Sequence, residues 1–188
     1  VSAATIANYT TTTPPENVFQ VGGKSFILLD TVNDGTTNKY LILSKDFYDK
    51  KWYNGTAKYT ITSQKFNITD TTSIAYWLNN DFLARTDSTG LPAEIKNYIV
   101  TSDWPTEAGY PGFGCDTAYV VTCKVVLPSK TEILNYQTKI GLIDDCTNIS
   151  DWGWYTRTGQ TDGKYVLTVS TSATNLGNFK GTNGHQIP

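Results

Sequence analysis

The spacing of apolar and polar positions changes several times along the chain, and each change marks an element. Val18-Phe19-Gln20-Val21 reads as a short strand, Gly22-Gly23 as a two-residue turn, and Ser25–Val32 as a largely apolar strand central to a sheet. Asn33-Asp34-Gly35 makes the next turn, and Lys39–Ser44 returns antiparallel. From Asp46 to Asn67 no clean period holds. Trp52, Tyr53, Tyr59 and Phe66 stand among polar residues, so a long loop is expected, with one short strand at Lys58–Thr62.

Periodicity then shifts to that of a helix. Ile74, Trp77, Leu78 and Phe82 lie on one face, with Asp70 or Thr71 as cap and an end near Ala84. Asp87–Gly90 reads as a turn. Pro92 suits the first turn of a second helix whose stripe is Ile95, Tyr98 and Ile99. Trp104–Gly114 holds two prolines and three glycines and is expected to be an irregular loop presenting Trp104, Tyr110 and Phe113. Ala118–Leu127 reads as a strand through Val120, Val121, Val125 and Val126. Ser129 with Glu132 forms a capping box for a third short helix containing Ile133, Leu134 and Tyr136. Gly153–Thr158 and Tyr165–Val169 read as further strands. The prediction is an α+β fold: antiparallel sheets, about three short helices and long loops, because turns this tight leave no room for crossover helices. Residues 1–15 are a Thr/Pro-rich linker and residues 16–188 the folded domain.

Composition narrows the chemistry. The 188 residues are 39% apolar and 17% charged, with a net charge of -2. That balance lacks the basic stripe of a nucleic-acid binder, and no apolar run approaches the roughly 18 residues of a membrane span. One histidine, His185, stands near the end of the chain, which argues against Ser-His-Asp or Cys-His catalysis. Threonine (30), asparagine (14) and aromatics (13%) are abundant, as in an extracellular β-rich binding domain. The small residues Val1-Ser2-Ala3-Ala4 resemble the far side of a signal-peptidase cut, so a mature secreted protein is expected. Of the three cysteines, Cys115 and Cys123 are the closest pair and the candidate disulfide, which would stabilise by about 2–3 kcal/mol. The alternative is that all three pack as free thiols.

Sugars are held by flat aromatic faces against the C–H face of the ring, with carboxylates and amides on the hydroxyls. Three places carry that chemistry: Trp52 and Tyr53 with Tyr48, beside Asp49, Lys50 and Lys51; Trp104, Tyr110 and Phe113 with Asp103 and Glu107; and Trp152 with Asp151 and Asn148. In each, the competing role is a core ring that pins a long loop. Trp77 and Trp154 are expected in the core. Paired carboxylates (Asp103, Glu107, Asp144, Asp145, Asp151) lie in loops of a small domain and are read as solvated, so no enzyme activity is expected. No cofactor is expected, although Asp144, Asp145, Asn148 and Asp151 supply oxygen ligands of the kind a structural calcium takes. Arg157, one of two arginines, is expected to serve as structural support.

Four segments carry a resemblance. They are Thr72–Asn79 with Phe82, Leu91-Pro92-Ala93-Glu94-Ile95, Lys124–Ser129 with Glu132, and Trp152-Gly153-Trp154-Tyr155-Thr156-Arg157. Taken in order they resemble a secreted or cell-surface domain of Gram-positive gut anaerobes whose fold is similar to the C-type-lectin and formylglycine-generating-enzyme superfamily. The likeness runs from about Val18 to Ile187. It implies a lectin-like domain over 16–188 and, by analogy with starch-adherence proteins of bacterial amylosomes, a non-catalytic module binding α-glucan at the cell surface, beside other proteins of the complex. The alternative is a protein-binding adhesion domain. In a strand like the family's, Arg157 would pair with a buried carboxylate such as Glu132. The sequence departs from the family where Trp154–Gly159 replaces its aromatic-Leu-Arg-Ser-Pro element. The resemblance also implies a closing Arg-Pro-Ala strand, which would begin where the chain stops at Pro188.

Overall fold

Strand β1 (Val18–Val21) and strand β2 (Lys24–Asn33) are joined by Gly22-Gly23, both with positive φ (55° and 76°). That is the left-handed pair a tight hairpin with the twist of its strands requires. At Gly22 a Cβ would also fall 2.7 Å from the Pro92 Cβ, so only glycine fits there. A computed structural model of the protein describes residues 18–33, 35–44, 48–51, 53, 65–109, 114–129, 131, 132, 135, 136, 139, 156–158 and 185–187.

Strand β3 (Asn38–Ser44) completes an antiparallel sheet in the order β1-β2-β3, with β2 central as its apolar run predicts. Phe26, Ile27, Leu28 and Leu29 are all buried, so both faces of β2 are covered. A bulge interrupts the β2–β3 register between Leu28, opposite Ile42, and Asp30, opposite Leu41. At this bulge the Leu29 carbonyl accepts from Lys139 Nζ (2.7 Å) and the Asp30 carboxylate accepts from Tyr136 Oη (2.6 Å). The irregularity in the strand is thus where the chain more than a hundred residues later is tied down. Burial of Tyr136 and its bond to Asp30 push the phenol up to about 12, and the same hydroxyl holds the Asp30 carboxyl below its usual range.

Helix α1 (Ile74–Trp77) starts on Ser73, whose Oγ accepts from the Ala75 N–H (3.1 Å). This corrects the expected cap: Asp70 instead accepts from the backbone and hydroxyl of Thr72, closing the preceding turn. Over Leu78–Phe82 the helix widens to a π-helical turn. Asn79 and Asn80 turn their amides back onto the carbonyls of Ala75 and Tyr76, competing with the ordinary ladder. Ile74, Trp77, Leu78 and Phe82 are all buried, as their spacing predicts. Helix α2 (Ala93–Lys96) has Pro92 as its cap and buries Ile95 against Phe19, Val21, Phe26 and Leu28, with Ile99 packed beside them. Tyr98 leaves this stripe and is 74% exposed, because the helix ends before it.

Strand β5 (Ser102–Thr106) pairs antiparallel with strand β6 (Tyr119–Cys123). The loop expected from Trp104 therefore begins three residues later, at Glu107, and Ala118–Leu127 is strand only over Tyr119–Cys123. Pro105 is tolerated because it lies in a two-stranded ribbon, where every strand is an edge. Strand β4 (Asp49–Lys51), inside the segment expected to be a loop, pairs with strand β7 (His185–Ile187) near the chain's end. The predicted strands at Lys58–Thr62 and Tyr165–Val169 lie outside the described residues. Of Gly153–Thr158 only Thr156–Thr158 are described, and they form a bend rather than a strand. The capping box is present as read: Ser129 N–H donates to Glu132 Oε2 (2.9 Å) and Glu132 N–H to Ser129 Oγ (3.1 Å). The architecture is α+β with antiparallel sheets and few helices.

Candidate functional site

The β5–β6 ribbon turns one face inward and one outward. Thr106, Val121 and Cys123 are buried, while Asp103, Pro105, Val120 and Thr122 are exposed. Outward, Thr122 Oγ1 donates to Asp103 Oδ1 (2.6 Å) across the ladder. Inward, the ribbon rests on Arg157, which is fully buried. All five of its N–H donors are used. Nε donates to Thr106 Oγ1 (2.8 Å), and the two terminal nitrogens to Leu127 O, Pro105 O and both oxygens of Glu132 (2.7 and 2.5 Å). The Arg157 carbonyl accepts from Tyr53 Oη (3.3 Å) and Tyr119 Oη (3.4 Å). Burial pushes the Tyr119 phenol up to about 12. The Arg157–Glu132 pair expected from the sequence is therefore the centre of a network joining β5, the stretch after β6, and the capping box.

Trp104 is half-buried. Its ring packs against the main core and lies under the Arg157 guanidinium (5.7 Å), and its indole N–H donates to Cys123 O (3.1 Å). The ring is thus a fixed anchor rather than a freely presented one. From Thr106 the chain passes Glu107 and reaches Gly109, whose N–H donates to Cys115 O (2.7 Å). That bond closes the stem of a loop whose sequence carries Tyr110 and Phe113, which lie outside the described residues.

The Glu107 carboxylate accepts from the Thr131 N–H (2.8 Å) and Oγ1 (3.1 Å). Burial pushes its carboxyl up, but hydrogen bonds from its own backbone, from Thr131 and from Thr158 outweigh that and hold it below the usual glutamate range. A depressed folded value means that this stability is present above the ordinary glutamate value and is lost as pH falls through the lowered one. Glu107→Gln should therefore cost about 1 kcal/mol at pH 7, near 2–4 °C in Tm, and nothing at pH 2.5. Equal costs at both values in parallel thermal melts would contradict the assignment.

The other expected site residues divide as follows. Tyr53 is 1% exposed and belongs to the core, so its proposed role on a sugar face is corrected: its ring fills the space beside Ile74, and its carbonyl accepts from the Ile74 N–H (2.8 Å). Tyr48 packs edge-on against Phe82 (5.2 Å), and Asp49 pairs with Arg85 (2.7 Å). Trp52, Trp152, Asp151 and the oxygen ligands Asp144, Asp145 and Asn148 lie outside the described residues. The expected Cys115–Cys123 disulfide is corrected as well, since both are buried and no disulfide joins them. Cys123 is an inward residue of β6 and its Sγ donates to Val125 O (3.4 Å); burial pushes that thiol up to about 11, so it packs as a small apolar group. Sequence reading missed Asn79, whose only signal is a polar residue beside the apolar stripe of a helix.

No protein-family model, curated protein or solved structure matches this chain.

Proposed function

We propose that this chain is a non-catalytic carbohydrate-binding module of a secreted or cell-surface bacterial protein, with a C-type-lectin-like arrangement and α-glucan as its ligand. One observation carries the reading. The β5–β6 hairpin holds an exposed acceptor, Asp103, next to a rigidly anchored tryptophan and closes the stem of the loop that carries Tyr110 and Phe113. A carboxylate on a braced ribbon, leading into a loop whose sequence is rich in aromatics, suits a sugar's mixed surface, and a fixed site loses little entropy on binding.

Affinity electrophoresis in starch gels and calorimetry with maltooligosaccharides test this. The unaltered protein should be retarded, and Tyr110→Ala with Phe113→Ala should weaken binding at least about tenfold, or ~1.4 kcal/mol. These rings are better probes than Trp104, whose removal also disturbs the core. A protein that starch does not retard and maltooligosaccharides do not heat would end the proposal.

A second reading is an adhesion domain. Its support is Val120, 59% exposed and paired with exposed Pro105 on the outer face of the same ribbon, an apolar pair better suited to a protein surface than to a hydroxylated ligand. Val120→Asp would abolish partner capture there and leave glycan binding unchanged.

A further inference from the structure

A cleft of about 420 Å³ opens between the β1–β2 turn and the segment 86–94 that leads into α2. Its size is at the lower end of the roughly 300–1,000 Å³ typical of small-ligand sites. We infer that this cleft is a second saccharide site, taking a mono- or disaccharide unit of a neutral glycan. The ligand class rests on the glycan reading above; the place and its chemistry do not.

The lining is amphipathic in the way a sugar ring is. Leu91 and Pro92 supply an apolar surface, Thr86 and Ser88 supply hydroxyls, and Lys24, Asp87 and Glu94 supply charge. Carboxylates accept from sugar hydroxyls and an ammonium donates to them, so a polyol satisfies both kinds of group at once. Two carboxylates against one ammonium leave the lining net negative, which disfavours phosphate, sulfate and uronic acids. A small ammonium ion would fill little of the volume and would meet the Lys24 charge already there.

The walls are also built to stay in place. Gly22 and Pro92, both in the lining, lie so close that a Cβ on the glycine would fall 2.7 Å from the proline's. Gly90 lies against Arg85, where a Cβ would meet the arginine's at 2.7 Å. Arg85 is itself held by Asp49 (2.7 Å) and by stacking near Trp77 (5.1 Å), and its carbonyl accepts from Lys96 Nζ (2.7 Å). At Gly23 a Cβ would meet nothing within 4 Å, so the turn leaves open space there. The Lys24 ammonium lies 5.1 Å from the centre of the Tyr48 ring, which orients it without neutralising its charge.

The test is a titration of the whole ¹⁵N-labelled chain with maltotriose, followed by NMR and calorimetry. Amide shifts are expected at Gly22, Gly23, Ser88 and Gly90, and Lys24→Gln with Glu94→Gln should weaken that site at least about tenfold. Glu94 is exposed and Lys24 half-buried, and unchanged circular dichroism and Tm certify the fold. Maltotriose that shifts only the hairpin amides of Asp103 and Thr122 overturns the cleft and leaves the proposed function standing. Shifts at the cleft that persist in Tyr110→Ala with Phe113→Ala support the cleft as a separate site; cleft shifts that vanish in that variant overturn it. Silence at both places overturns both. Displacement of maltotriose from the cleft by inorganic phosphate overturns the charge argument, and with it the neutral ligand.

Discussion

Arg157→Met should lower the unfolding free energy by about 3–5 kcal/mol and Tm on the order of 10 °C, read by urea and thermal unfolding. The reason is the set of groups the guanidinium leaves behind. Glu132 would keep a carboxylate whose side chain is only 22% exposed, facing Pro105 O, Leu127 O and Thr106 Oγ1 without their donor. Methionine fills similar volume, so the loss reports unpaired polar groups more than a cavity. Arg157→Lys should recover only part of it, because one ammonium cannot reproduce a five-donor planar fork. Arg157→Met combined with Glu132→Leu should be less costly than Arg157→Met alone, since the stranded charge goes too. An Arg157→Met variant within about 1 kcal/mol of the parent would show that the network contributes little to stability.

The second large effect is at Asn79, in the π-helical turn. Its amide nitrogen donates to Ala75 O (3.0 Å) and Val125 O (2.8 Å), and its oxygen accepts from the N–H groups of Lys124 and Val125 (both 3.0 Å). The side chain pairs with the Val125 backbone as a neighbouring strand would, and so holds the stretch after β6 to the helix. At about 1 kcal/mol for each bond, Asn79→Ala should cost about 2–4 kcal/mol. Asn79→Asp separates the two halves of this pattern. It keeps the acceptor but sets a carboxylate against two carbonyls, which raises its folded pKa above the ordinary value near 3.9. Stability lost at pH 7 should then return as pH falls below that raised value, because the protonated carboxyl regains one donor. Urea midpoints of Asn79→Asp and Asn79→Ala that move in parallel from pH 7 to pH 3.5 would refute this role.

Where the physics is local, the residues themselves specify the element. The Gly22-Gly23 turn, the central strand after it, the buried stripe Ile74–Phe82 and the reciprocal Ser129–Glu132 bonds all depend on residues within about a turn of one another. The Arg157–Glu132 pair is expected only through the resemblance, because no local pattern links residues 25 positions apart. Of the candidate site, the chemistry of Asp103 and Trp104 was visible in the residue types, but their places were not. Trp104 and Pro105 read as loop because proline and nearby glycines outweigh a five-residue strand in any local count.

What the sequence alone determined, then, is the run of hairpin, short helices and capped turns, since backbone preference and the period of burial act over a few residues. Tertiary structure decided which rings are covered. Tyr53 went inside because Ile74 and the Arg157 carbonyl came to it, while Tyr98 stayed out because its helix stopped too soon. It also decided the pairing of β4 with β7 and the cleft beside Gly22, each made by segments far apart in the chain. A side chain's exposure is set by whatever packs against it, and for these residues the partner lies tens of positions away, beyond the reach of any local pattern.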